Sequence, residues 1–182
     1  MKFKIDAAAS RFTVQTFATG LLSAFGHNPT IAIRDYDAEI QFNSDTIDNG
    51  SVRVTVRTSV MEVVDEMKND DRKKLEQAMY DQVLEPNRFP TAVYESKPIT
   101  VQKDSAEQWR AHVTGELSFH GVTQSHSFDA RVNYMGTTMR IAGEFRLRQS
   151  DYGIKPVSFA GGALKSKDEL KFNFEMVARQ QG

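Results

Sequence analysis

Apolar and polar residues alternate with a period of two along most of this chain. Such alternation gives a strand one dry face and one wet face. The clearest run puts Val52, Val54, Val56, Thr58 and Val60 on one side and Arg53, Thr55, Arg57 and Ser59 on the other. The stretch GELSFHGVTQSHSFD, from Gly115 to Asp129, reads as two strands around Gly121-Val122-Thr123, the mark of a hairpin. Further strands are expected from Phe12 and Thr30, at 38–42, 91–97, 110–119, 125–134 and 138–148, and at the chain's end, with Leu170, Phe172, Phe174 and Met176 facing inward. Asn28-Pro29, Asp35-Tyr36-Asp37, Asn43-Ser44-Asp45 and Asn49-Gly50 supply turn chemistry between them. Alternation fails between Lys68 and Leu84. There Leu75, Ala78, Met79, Gln82 and Val83 fall at helical spacing, Asp70 and Asp71 suit a helix N-terminus, and Pro86 and Pro90 follow.

About eight short antiparallel strands with one helical segment near residues 68–84 make a mainly β chain. Turn signals between neighbours point to a sandwich or a barrel. No linker composition interrupts the pattern, so residues 1–182 are read as one domain. A closed barrel has no exposed edges. At about eight strands its interior either fills with side chains or holds one small ligand. The inward positions carry Phe12, Phe42, Phe119, Phe128, Phe145, Phe172 and Phe174, and also Gly115 and Gly143, where no side chain fills the space. A packed core and an apolar pocket both fit that pattern.

Composition narrows the classes. A hydrophobic content of 40% with 26% charged residues is that of a folded globular chain. The formal net charge of −1 gives no basic field for nucleic acid, and the Arg53, Arg57, Arg140, Arg146 and Arg148 faces are interleaved with acidic residues such as Asp129 and Glu144. The absence of cysteine removes disulfides, thiolate metal sites and a cysteine nucleophile. No apolar run approaches the ~18 residues of a membrane span. The opening MKFKIDAAASRF carries Asp6 and Arg11 where a leader would be apolar, so a cytoplasmic location is expected, or a periplasmic one if a leader has been removed.

Four segments, KIDAAASRFTVQTFA, RFPTAVYESKPI, GELSFHGVTQSHSFD and FRLRQSDYGI, lie in an order and spacing that resembles the YceI-like family of polyisoprenoid-binding proteins. The resemblance spans nearly the whole chain. It implies a lipocalin-like antiparallel β-barrel with a helical segment and an elongated apolar cavity. It further implies a non-catalytic binding or carrier protein for a long-chain apolar ligand: a polyisoprenoid, an isoprenoid quinone or a fatty-acid-derived lipid. No cofactor beyond such a bound lipid is implied. Transport and homodimer formation are partner expectations of the same kind.

On that reading the apolar lining is Val14, Phe25, Val54, Met79, Tyr94, Phe119, Phe128, Phe145 and Phe172, with the segment carrying Leu75 and Met79 as a lid. Polar contacts to a head group fall to His27, His126 and Tyr152. Among the histidines, His112 and His120 lie eight residues apart on one strand, roughly 26 Å, too far to share a metal ion. By parity His120 belongs to the wet face and His126 to the dry one. Asp151 reads as an Asx-type turn closing a strand. No nucleophile elbow, phosphate loop or paired metal ligands occur. An enzyme acting on a bound lipid, and a packed barrel serving as a protein-interaction or stress-response module, are the alternatives.

Overall fold

The computed structural model describes residues 1–19, 28–42, 49–159 and 164–182. Its strands are β1 (Lys2–Ile5), β2 (Arg11–Gln15), β3 (Ala18–Thr19), β4 (Thr30–Ile33), β5 (Tyr36–Gln41), β6 (Ser51–Arg57), β7 (Met61–Val63), β8 (Thr91–Ser96), β9 (Thr100–Lys103), β10 (Gln108–Phe119), β11 (Val122–Met135), β12 (Thr138–Arg148), β13 (Ser158–Phe159), β14 (Leu164–Ser166) and β15 (Glu169–Gln180). The helix α1 (Asn69–Met79) continues as a π-helical turn through Tyr80–Leu84. Hydrogen-bonded neighbours run β1-β5-β6-β8-β10-β11-β12-β15, and β15 pairs back onto β1 through Phe3–Gln180 and Ile5–Ala178. The sheet is therefore a closed eight-strand antiparallel barrel, and its first and last strands make the closure.

Further strands beside β15 extend one side of the barrel. β1 and β2 both pair with β15 and are separated by a 3-10 turn, Ala7–Ala9. Asp6 fixes that turn: its carboxylate accepts from the Ala9 amide and from Arg179 Nε, while Ser10 Oγ donates to its carbonyl. The Arg179 guanidinium holds the Asp6 carboxyl below its ordinary range. From β2 the wall continues through β4 to β7. There it would end on an open edge, because β8 pairs with β6 and not with β7. The helix covers that edge instead. Tyr80 Oη donates to the Met61 carbonyl and accepts from the Met61 amide, Glu76 accepts from the Val63 amide, and Arg72 donates to the Val63 and Asp65 carbonyls. An unpaired strand edge is thus satisfied by helical side chains.

The inward parity expected from alternation holds along β10, β11, β12 and β15. Three local readings change. Lys2–Ile5 is a strand of the barrel, and Phe3 is 1% exposed. Tyr36 opens β5 as a buried residue rather than sitting in a turn. Val60 is exposed because β6 stops at Arg57, although Thr58 remains buried with its hydroxyl on the Phe89 carbonyl.

The two inward glycines also differ from expectation. A Cβ on Gly115 would stand 2.7 Å from Ser96 Cα and 2.8 Å from the Tyr94 ring, and one on Gly143 would stand 2.5 Å from the Phe174 ring. They leave no void: Tyr94 and Phe174 lie over them, so glycine here admits a neighbouring ring and a close strand.

Candidate functional site

Aromatic rings meet across the middle of the barrel. Phe145 stacks on Phe172 at 4.7 Å between centroids, Phe128 stacks on Phe145 at 5.4 Å, and Phe12 joins Phe172 to Tyr36. At one end Phe3, Phe42, Tyr134 and Trp109 form a second aromatic group. At the other, Met79 and Leu84 pack with Val14, Ile31, Val63, Leu147 and Leu170. Between these groups runs a cavity of about 290 Å³ with wall residues from all eight barrel strands and from the helix. That volume lies near the lower bound of typical ligand pockets.

Eight of the nine residues expected as lining stand on this wall: Val14, Val54, Met79, Tyr94, Phe119, Phe128, Phe145 and Phe172. Phe25, the ninth, lies outside the described residues, as does His27. Leu117 and Met176, inward by strand parity, are further wall residues, as is Ile40. Leu75, Met79, Val83 and Leu84 bring the helix to the wall, but its bonds to β7 tie it down, which is not the arrangement of a freely hinged lid.

The wall is nearly devoid of polar groups. Among the described wall residues only Thr16, Tyr94, His126, Gln149 and Ser166 carry polar side chains, and none is charged at neutral pH. Tyr94 donates its hydroxyl to the His126 carbonyl at 3.1 Å, and burial pushes its pKa up to about 12. Gln149, 3% exposed, donates to the Lys167 carbonyl. His126 Nε2 and Ser166 Oγ are buried without a hydrogen-bond partner. Ser166 carried no sequence signal: its position follows from the small sheet in which β14 joins β13 and β3. Burial pushes the His126 imidazole below the usual histidine pKa, so it is neutral at pH 7 and can donate or accept one hydrogen bond.

The other polar candidates sit elsewhere. Tyr152 is 2% exposed, packs on Phe119, and lines with His126 a second pocket outside the internal cavity. Asp151 does not cap its turn: the capping carboxylate is that of Asp168, which accepts from the Ser150 amide and hydroxyl. His120 is not on a wet strand face. It occupies a left-handed turn position at φ 51°, where strand parity no longer applies, packs its ring tilted against Phe89 at 4.1 Å between centroids and bonds Glu85 at 2.8 Å. On the outer face, exposed pairs such as Arg57 with Asp35 and Asp37, and the half-buried Lys171 with Glu144, mix the charges as the interleaved sequence suggested. No group of three His, Cys, Asp or Glu side chains converges to hold a metal among the described residues.

Solved structures share this barrel. A polyisoprenoid-binding domain from Saccharophagus degradans, described as implicated in plant cell wall breakdown, superposes with a TM-score of 0.72 at 13% identity, covering 98% of each chain. BcnA of Burkholderia cenocepacia gives 0.71 at 16% identity over 95% of this chain and 98% of its own. The Campylobacter jejuni YceI protein gives 0.63 at 16% identity over 84% and 85%. At such identities the likeness concerns the fold. No curated protein sequence matches the chain. The family is shown independently by the sequence itself, since the model of the YceI-like domain matches residues 3–178, from β1 to the strand that closes on it. By that match, the chain belongs to the YceI-like domain family.

Proposed function

We propose that the protein is a non-catalytic carrier that sequesters one long-chain apolar ligand inside the barrel. The observation that carries this reading is the cavity of about 290 Å³, with an almost wholly apolar wall that draws on every barrel strand. Each buried methylene contributes about 0.8 kcal/mol, so an extended hydrocarbon gains affinity with length until the cavity is full. The cost of immobilising the ligand is set against this gain, so short chains bind weakly. A polyisoprenoid, an isoprenoid quinone or a fatty-acid-derived lipid offers the required length. The description of the Saccharophagus degradans domain as polyisoprenoid binding supports the same class. Against an enzyme acting on the bound lipid stands the sparse polar lining, which lacks convergent acid, base and nucleophile groups among the described residues.

The test is direct. Native mass spectrometry of protein purified from its source should show an adduct that organic extraction removes. In a series of linear alcohols, affinity should rise about fourfold per added methylene and then level off. A flat response to chain length would refute sequestration in the barrel.

A further inference from the structure

The barrel wall is not hydrogen-bonded all the way round. β10 and β11 stay paired down to Phe119–Val122, and β12 and β15 stay paired down to Arg148–Glu169. Between those two strand pairs the β11–β12 ladder stops at Ala130–Gly143. Beyond that rung, residues 125–129 of β11 and 144–148 of β12 face each other across an unpaired seam. Outside the seam lies a second pocket of about 320 Å³. His126 and Leu147 are the two residues that line both this pocket and the internal cavity. They occupy facing strands at the position that the register of the remaining ladder would pair.

The seam is polar where the cavity is not. Arg146 and Arg148 share the outer pocket with Glu169 and Asp151, so its formal charges cancel, and Arg146 is already paired with Glu169. Such a pocket suits a neutral polar group better than a phosphate. At its threshold the buried His126 Nε2 has no partner. A purely hydrocarbon cargo would leave that nitrogen desolvated and unpaired, whereas a hydroxyl can donate to it or accept from it, whichever tautomer the neutral imidazole holds. Among the described residues, the helix is bonded to β7 at one end of the barrel and the Phe3–Phe42–Tyr134 group packs together at the other.

We infer that the β11–β12 seam is a lateral port, and that the cargo is a single-chain amphiphile whose neutral terminal oxygen group sits against His126 while its tail lies in the cavity. This inference rests on the sequestration reading and adds to it the polarity of the cargo, the place of its head and the route of uptake.

Two measurements test it. The first compares hexadecanol with hexadecane, each displacing N-phenyl-1-naphthylamine from the intact protein and from His126→Val. Loss of one neutral hydrogen bond should weaken hexadecanol about three- to tenfold and leave hexadecane unchanged or tighter. The second closes the seam. The chain has no cysteine, so Ser127→Cys with Arg146→Cys places one thiol pair on the outer face, to be joined as a disulfide or, across a wider gap, by dibromobimane. Hexadecanol exchange should slow at least tenfold on cross-linking, and reduction of the disulfide form should restore it. Equal loss or no loss for both probes in His126→Val, or unchanged exchange in the cross-linked protein, overturns the port while leaving sequestration intact. Failure of both probes to bind the intact protein overturns both readings.

Discussion

Replacing Gly115 by alanine tests whether the close approach of β8 and β10 is built into the barrel. The added methyl would meet Ser96 Cα at 2.7 Å and the Tyr94 ring at 2.8 Å, and would also run into the Glu95 carbonyl oxygen. Two of these three neighbours are backbone. The ring can swing, but Ser96 Cα must retreat by about 0.7 Å to reach the 3.4 Å at which ordinary contact begins. β8 is held by β10 through Gly115–Ser96 and Leu117–Tyr94 and by β6 through Arg53–Glu95 and Val54–Tyr94, so it cannot retreat without stretching ladder bonds. Overpacking of this kind costs about 1–3 kcal/mol, and one weakened ladder bond adds about 1 kcal/mol. A total of about 3 kcal/mol in a chain of this size lowers Tm by about 6–12 °C. Tyr94 lies on the cavity wall, so its displacement should also cut the affinity for long alcohols. The assay is a thermal melt with a double-mutant cycle against Tyr94→Leu. If the clash is with backbone, Tyr94→Leu recovers only a minor part of the loss. A Tm within 2 °C of the parent, or full recovery in the cycle, would refute the argument.

Other predictions address the remaining supports of the site. Tyr80→Phe strips both hydrogen bonds from Met61 at the β7 edge and should cost about 1–3 kcal/mol in urea unfolding; a loss below about 0.5 kcal/mol would deny the helix its edge-covering role. Met79→Ala removes a 6%-exposed side chain from the helix end of the core and should cost about 2–5 kcal/mol, with the longest alcohols still binding because the cavity grows there. The pKa of His126 is pushed down by burial, so the folded protein resists its protonation. The associated stability is fully present above the unfolded value near 6.5 and is lost as pH falls through the lower folded value. His126→Val should therefore lose less Tm than the parent between about pH 7.5 and pH 5; parallel losses would show that another group carries the acid sensitivity.

Much of the architecture can be traced to side-chain parity. Once Phe119, Phe128, Phe145 and Phe172 share one phase in their strands, those faces must turn away from water together, because a shift of one residue would expose every ring. The same parity placed His126 on the inside. It failed where the backbone leaves extended geometry: His120 at positive φ turns to Glu85 and Phe89, and Val60 lies beyond the end of β6. It also misjudged Gly115 and Gly143, since a missing side chain in a sequence says nothing of whose ring will cover it.

Period-two patterning, the helical interruption near 68–84 and the absence of cysteine thus determined a β-rich chain with an apolar interior, because each is a local property of consecutive residues. Closure through β1 and β15, the helix standing in for a strand beside β7, and the seam that brings His126 to both cavity and outer pocket depended on pairing between residues far apart in the chain. Alternation tells which face of a strand is buried. It does not tell which strand lies beside it, or where two neighbours part, and the candidate site is made of those two things.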